Sequence, residues 1–170
     1  APDSEAYRLY FLWGTEFRKW SPEGHKEAER LAMELLERAP DNALATTMMG
    51  WVLYQKVRLN FSEDMQKDRD EARRFAEKSI AINDAYYNSH LVLAAVNFLE
   101  SNFASAIAHA DRAIELEPGA ASANTVAGAI KVKSGQPAEG VELLKKGMRQ
   151  EPLTSVWMTH DLTNGLIMLG

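Results

Sequence analysis

The stretch Tyr87–Pro118, YNSHLVLAAVNFLESNFASAIAHADRAIELEP, contains two amphipathic segments separated by a short polar break. In the second segment, Ala106, Ala110 and Ala113 recur at intervals of four and three residues, so they share one face of an α-helix. Ala94 lies in the apolar run of the first segment, where a small side chain lets two backbones approach closely. The stretch therefore predicts a tightly packed helical hairpin.

Residues that begin and end helices stand at the expected places along the chain. Asn102 tolerates left-handed turns and is expected to break the helical pattern between the two segments, and Pro118 ends the hairpin because helices rarely continue into a proline. Ser21 followed by Pro22 predicts a capped helix start with proline in its first turn. Pro137 predicts a second start of the same kind.

The hairpin recurs with a period of 34 residues. Two series of equivalent positions keep this spacing: Ala72, Ala106 and Gly140, and Asp84, Pro118 and Pro152. A strict period in this range indicates a stacked array of helical repeats. The N-terminal part keeps the same phase if ten extra residues lie between Gly50 and Ala72, and we expect them to extend helices or form a loop.

The predicted fold is all-α: a right-handed superhelix of about four helical hairpins in a single repeat domain. The hairpins are expected at residues 5–40, 41–84, 85–118 and 119–152, followed by a half-repeat at 153–170. The last helix, Ser155 to Leu169, is apolar and no partner helix follows it. Since one repeat cannot bury its own apolar face, we expect either a longer array, of which this chain is a fragment, or self-association.

Composition excludes several classes of function. The net charge is −5, which argues against nucleic acid as the main partner because phosphate binding needs a basic surface. The chain has no cysteine, so disulfides, thiol catalysis and cysteine-ligated zinc are excluded, which suits a cytoplasmic protein. No apolar run approaches the roughly 20 residues of a membrane helix, so no membrane insertion is predicted.

The sequence contains no pattern that predicts catalysis, a cofactor or a metal site. His25, His90, His109 and His160 lack the helical spacing of metal ligands, and they are predicted to be ordinary packing or surface residues. Neither glycine-rich phosphate-binding motif is present. Carboxylates alternate with Lys and Arg along helix faces, as expected for solvated surfaces. A hidden enzyme is therefore the weakest hypothesis.

The array resembles the tetratricopeptide repeat family over nearly the whole chain. In that family a Trp-Leu-Gly-Tyr series marks the first helix of each repeat, and an Ala-aromatic-Ala-Pro series marks the second. Equivalent positions here hold Tyr10, Trp13, Gly14 and Phe17 in the first repeat, followed by Ala28, Ala32, Leu35 and Pro40. The resemblance implies a non-catalytic scaffold for protein–protein interaction.

A narrower resemblance concerns the N-terminal half. AYRLYFLWGTEFRKWSPEGHKEAERLAMELLERAPDNALA, residues 6–45, is similar to the start of tetratricopeptide regions that follow the catalytic domain of bacterial class III adenylate or guanylate cyclases. GWVLYQ and EARRFAEKSIAIND are similar to their continuation. This resemblance implies a regulatory domain beside a cyclase, although no cyclase motif lies in the chain itself.

In the family, the first helix of each repeat lines a concave groove that binds a protein or peptide. Carried over by phase, the groove candidates are Arg8, Phe11, Thr15 and Arg18, then Thr47, Trp51, Tyr54 and Gln55, then Asn88, Leu91, Ala95 and Phe98, then Ser122, Thr125, Ala129 and Lys133. Some members clamp the carboxylate tails of chaperones with lysine and asparagine. The corresponding positions here hold Phe11, Thr15, Thr47 and Trp51, so this clamp is absent.

Two interpretations of these positions stay open at this stage. The aromatic residues Trp51, Tyr54 and Phe98 either line a binding surface or pack against neighbouring helices, because apolar stripes at helical spacing are most often core. The function is likewise either partner binding in the groove or a structural role. In the structural role the module packs on its own chain or forms a homodimer through residues 153–170.

Overall fold

The computed structural model describes residues 4–151 and 156–170, and for residues 156–158 it describes the backbone alone. The described residues form nine α-helices, and the first eight pack in successive pairs as antiparallel hairpins. The chain divides into two compact units, an N-terminal unit at Ala1–Asp84 and a C-terminal unit at Ala85–Gly170. The predicted all-α fold of sequential hairpins is confirmed. The arrangement in a single domain, with the repeat boundaries given above, stays a prediction.

The N-terminal unit contains two hairpins. The first pairs α1 (Ser4–Phe17) with α2 (Pro22–Arg38), and the second pairs α3 (Ala43–Arg58) with α4 (Met65–Ile82). Helix α3 packs on both helices of the first hairpin. The buried face of α1 is aromatic: the rings of Trp13 and Phe17 stack with 4.6 Å between their centroids. Offset stacking of this kind adds to the stabilisation by burial alone.

The C-terminal unit contains two hairpins and a further helix. The hairpins pair α5 (Tyr87–Leu99) with α6 (Phe103–Leu116) and α7 (Ala121–Lys133) with α8 (Pro137–Gln150). Helix α9 (Val156–Leu169) packs on α7 and α8. Pro152, the predicted end of the fourth repeat, and Ser155, the predicted start of the last helix, lie outside the described residues.

The helix starts follow from their capping residues. The hydroxyl of Ser21 accepts a hydrogen bond from the backbone N–H of Gly24 at 3.1 Å, and Pro22 occupies the first turn of α2, as predicted. Asn102 is corrected: it has φ −85° and caps α6 by accepting from the N–H of Ser105 at 3.4 Å. The left-handed residue is its neighbour Ser101, with φ 60°. The side-chain amide of Asn102 is thus used for capping, and the turn is made one residue earlier.

Small residues lie where helices approach each other most closely. Ala94, Ala106 and Ala110 are fully buried in one cluster of the C-terminal unit. In the next hairpin, a Cβ placed on Gly128 would lie 2.8 Å from the carbonyl oxygen of Gly140, and the converse distance is 2.7 Å. At such separations any side chain would push the two backbones apart, so the predicted steric role of the small-residue stripe is confirmed.

The ten-residue insertion extends the second hairpin, as predicted, and adds no separate domain. It lengthens α3 and α4, and residues 59–64 connect them. The segment also contributes packing, because the ring of Phe61 meets His25 edge-on with 5.8 Å between centroids. Lys56 lies 3.5 Å from Asp68 and 3.4 Å from Glu29, so charges from α2, α3 and α4 meet.

Candidate functional site

Three groove candidates lie on α1, and all three are exposed. Phe11 exposes 71% of its surface, and Arg8 and Thr15 are also exposed. Tyr7, one turn before Phe11 and on the same side of the helix, exposes 62%. Arg18, just beyond the helix, is exposed as well. We call the surface formed by Tyr7, Arg8, Phe11, Thr15 and Arg18 the α1 face.

The polar groups of the α1 face differ in what they bind. The guanidinium of Arg8 donates to both carboxylate oxygens of Glu5, at 2.8 and 2.7 Å. This hydrogen bonding lowers the pKa of Glu5 and raises the pKa of Arg8. The hydroxyl of Thr15 donates to the carbonyl of Phe11 at 3.1 Å. Arg18 makes no ion pair with any residue that the structure describes.

Six other candidates are buried, which corrects the prediction at their positions. Each exposes 9% of its surface or less: Thr47, Gln55, Leu91, Ala95, Thr125 and Ala129. The hydroxyl of Thr47 donates to the carbonyl of Leu44, and that of Thr125 donates to the carbonyl of Ala121. These threonines satisfy their hydroxyls within their own helices. The six side chains therefore offer little surface to a partner.

The aromatic candidates other than Phe11 are half-buried. The rings of Trp51 and Tyr54 on α3 pack edge to face, with 5.5 Å between centroids. Phe98 packs against the buried cluster around Ala106 and lies 5.6 Å from the ring of Phe103. Asn88, at the start of α5, is also half-buried. These side chains take part in packing, and their role in binding stays a prediction.

Lys133 is exposed but carries an ion pair. Its ammonium lies 2.8 Å from a carboxylate oxygen of Asp161 on α9, although the angles are not those of a directed hydrogen bond. Asp161 exposes only 2% of its surface. The groove candidate Lys133 therefore holds α9 against α7, because the buried carboxylate of Asp161 needs a counter-charge.

Sequence reasoning missed a buried lysine. Lys131 exposes 2% of its surface, and its ammonium lies 2.6 Å from both Asp111 and Glu139. Burial opposes the charge on Lys131, but hydrogen bonds to the two carboxylates outweigh it and raise its pKa. The cluster joins α6, α7 and α8. A signal was present, since a lysine within the apolar run AGAIKVK requires a counter-ion.

His25, His90 and His109 are packing residues, whereas His160 is exposed on α9. His25 is buried and donates from Nε2 to the carbonyl of Val52 at 2.7 Å; burial lowers its pKa. The Nδ1 atoms of His90 and His109 lie 3.1 Å apart. Their ring centroids are 5.4 Å apart, so the rings meet head to head, with one Nδ1 donating to the other.

Two further observations concern residues 4–151 and 156–170. No group of three His, Cys, Asp or Glu side chains there could hold a metal ion. None of these helices is long and apolar enough to span a bilayer.

Comparison with known proteins finds similarity of structure. No family model and no curated protein matches the sequence. A thermophilic TPR protein from Thermus thermophilus is similar with a TM-score of 0.72 and 18% identity, over 94% of this chain and 80% of that chain. PilF from Pseudomonas aeruginosa gives a TM-score of 0.65 and 14% identity, over 98% and 70% of the two chains.

A third similar structure contains a bound peptide. The first TPR domain of Spaghetti (RPAP3), bound to the HSP90 peptide SRMEEVD, gives a TM-score of 0.55 and 20% identity, over 72% of this chain and 94% of that chain. At these identities the likeness concerns the fold. The chain therefore has the fold of tetratricopeptide-repeat proteins.

Proposed function

We propose that this chain is a non-catalytic scaffold that binds a segment of another protein at the α1 face. The observation that carries the proposal is the exposure of Phe11, 71%, beside Tyr7 at 62%. Aromatic side chains are the usual energetic centres of protein interfaces, since they contribute large contact area for little loss of side-chain entropy. An apolar patch on a regular helix is a typical interaction site.

The fold supports the same proposal. Stacked helical hairpins present extended surfaces to partners, and the similar domain of Spaghetti (RPAP3) holds a peptide. The six buried candidates are left out of the proposed site because they offer little surface to a partner. Trp51 and Tyr54 are a secondary part of it, since each ring is half-exposed.

Selection from a random peptide library tests the proposal. We would display 12-residue peptides on phage, select them on the full chain, and measure binding of the enriched peptides to Phe11→Ser. Phe103→Ser is the matched control, because Phe103 is also exposed, at 41%, but lies in the C-terminal unit. We expect binding to fall at least about tenfold for Phe11→Ser, as for a central interface residue, and to persist for the control. Peptides that bind both variants equally would place the site elsewhere.

A second candidate function is association through α9. Leu166, Ile167, Met168 and Leu169 are all exposed, with Ile167 at 72%. Leu162 is unsuitable as a probe of this surface because it packs against Val132, Val141 and Leu144. The test is sedimentation of the chain at high micromolar concentration, with Ile167→Lys as the disrupting variant. A monomer under these conditions excludes the homodimer.

The narrower cyclase hypothesis is supported by the resemblance of the N-terminal sequence alone. None of the similar structures reported above links the chain to a cyclase. The direct test is to add the purified chain to a class III cyclase domain and measure turnover. Unchanged turnover at saturating chain concentration would remove this hypothesis and leave the general scaffold function intact.

A further inference from the structure

The α1 face is basic although the chain as a whole is acidic. Between Ser4 and Lys19, the exposed residues include three cations, Arg8, Arg18 and Lys19, and no carboxylate. The two acids of this region, Glu5 and Glu16, are half-buried and are paired with Arg8 and Lys19. The net charge of the whole chain is −5. A partner that approaches this face therefore meets exposed guanidinium groups beside aromatic rings.

The two guanidinium groups lie at opposite ends of the aromatic pair. Arg8 reaches back one turn to Glu5, and Arg18 folds back over Gly14, with its Nη1 3.1 Å from the position of a Cβ on that residue. Glu5 and Gly14 are nine residues apart, so they lie about half a turn out of phase, at opposite edges of the exposed side of α1. Phe11 and Tyr7 lie between them.

From this geometry we infer that the α1 face recognises an acidic–apolar–acidic segment, in which side-chain carboxylates flank apolar residues. Arg18 is available to the partner at once. Arg8 exchanges Glu5 for the incoming carboxylate, because an ion pair at the protein surface contributes little and is readily replaced. The inference rests on the proposed binding function of the α1 face.

The recognised groups are side-chain carboxylates, so no free chain terminus is required. Guanidinium groups bind carboxylates in a bidentate manner, so Arg8 and Arg18 favour acidic side chains on either side of the apolar contact. Phe11 and Tyr7 supply the apolar contact between them. Charge complementarity also excludes lysine-rich segments, since like charges across an interface are strongly unfavourable.

The experiment uses the full chain and the selected 12-residue peptides. Each peptide is synthesised with acetylated and amidated ends and a fluorescein label, and binding is measured by fluorescence anisotropy. We expect the selected set to be enriched in acidic pairs around apolar residues, compared with the unselected library. Replacing both acids of a peptide by lysine should abolish binding. Arg18→Glu should weaken binding about five- to tenfold, whereas Arg149→Glu, an exposed arginine of the C-terminal unit, should not.

The outcomes separate this inference from the proposed function. Peptides that require Phe11 but show no acidic enrichment and no response to Arg18→Glu would overturn the inference and leave the binding function standing. A set that is insensitive to Phe11→Ser would overturn both. Heparin that competes as well as the acidic peptides would show a general polyanion surface and would also overturn the inference. Circular dichroism of each variant confirms that the helices are intact.

Discussion

Gly128 offers the sharpest test of the packing between α7 and α8. A Cβ placed there would lie 2.8 Å from the carbonyl oxygen of Gly140, 2.8 Å from Cγ of Leu144 and 2.9 Å from its backbone N. Two of these three atoms belong to the backbone, so they can move only if α8 moves. Restoring ordinary contact requires the helices to separate by about half an ångström, and a gap of this size already forfeits about a quarter of each dispersion contact.

We therefore expect Gly128→Ala to lower the free energy of unfolding by about 1–2 kcal/mol. Overpacking of this kind costs about 1–3 kcal/mol, and the better helix propensity of alanine returns up to about 1 kcal/mol. Gly128→Leu should cost more. The assay is urea unfolding followed by circular dichroism at 222 nm.

Gly14→Ala is the matched control for this prediction. Gly14 is also buried within a first helix, but its added Cβ would meet only the flexible guanidinium of Arg18, at 3.1 Å. We expect this variant to be unchanged or stabilised by up to about 1 kcal/mol. If Gly128→Ala is as stable as the parent, or if both variants lose stability equally, close approach of α7 and α8 does not explain the glycine.

Three further predictions concern buried polar and aromatic groups. The double variant Asp111→Asn with Glu139→Gln should destabilise the chain by about 3–5 kcal/mol, because it leaves the buried ammonium of Lys131 without a counter-charge. Lys131→Met should cost clearly less, because it leaves only half-exposed carboxylates, and equal losses in urea unfolding would contradict this. Burial lowers the pKa of His25 below its value in the unfolded chain, so the stabilising contribution of His25 is complete above about pH 6.5 and is lost as the pH falls. The difference in free energy of unfolding between the parent and His25→Gln should therefore shrink from pH 7.5 to 5.5, and a constant difference would refute this prediction. Phe61→Ala should cost about 1–2 kcal/mol by thermal unfolding, since the half-buried ring packs on His25; no loss would show that this ring contact does not contribute to stability.

The fold could be predicted because its main signal is local and repeated. The alanines at 106, 110 and 113 and the 34-residue period fix helix faces and hairpin lengths, and both depend only on spacing along the chain. Ser21 and Pro22 mark a helix start for reasons within one turn of backbone. Asn102 was predicted with the wrong role, because capping and left-handed turns favour the same residue type and only the backbone of Ser101 distinguishes them.

The candidate site could be predicted only in part, because exposure depends on what packs against each helix. Phe11 and Thr47 occupy comparable positions in the first helices of two repeats, yet Phe11 is exposed and Thr47 is buried. Repeat phase alone treats them alike. In the same way, Lys131 and Lys133 lie two residues apart in one apolar segment. Lys131 lies in a cluster between three helices, whereas Lys133 binds a carboxylate on α9. Long-range partners of this kind leave no regular spacing in the sequence.

Salt distinguishes binding at the α1 face from association through the exposed end of α9, and this is the last prediction. The α1 face has Phe11 between Arg8 and Arg18. Helix α9 contains one acidic residue, Asp161, which is buried and paired with Lys133, so the end of α9 around Ile167 has no exposed charged side chain. Raising sodium chloride from 50 to 500 mM shortens the screening length from roughly 14 to 4 Å, which weakens contacts between exposed charges.

Binding of the acidic peptides to the α1 face should therefore weaken several-fold over this range, with the loss concentrated in the association rate, because charge steering acts mainly before contact. The same peptides on Arg18→Glu should show a smaller salt dependence than on the parent. Self-association through α9, where it occurs, should be insensitive to sodium chloride, since burial of uncharged apolar surface involves no screened attraction. Peptide binding that is independent of salt would show that the cations of the α1 face are not in contact with the ligand. Dimerisation that disappears at high salt would show that α9 associates through charges that lie elsewhere on the chain.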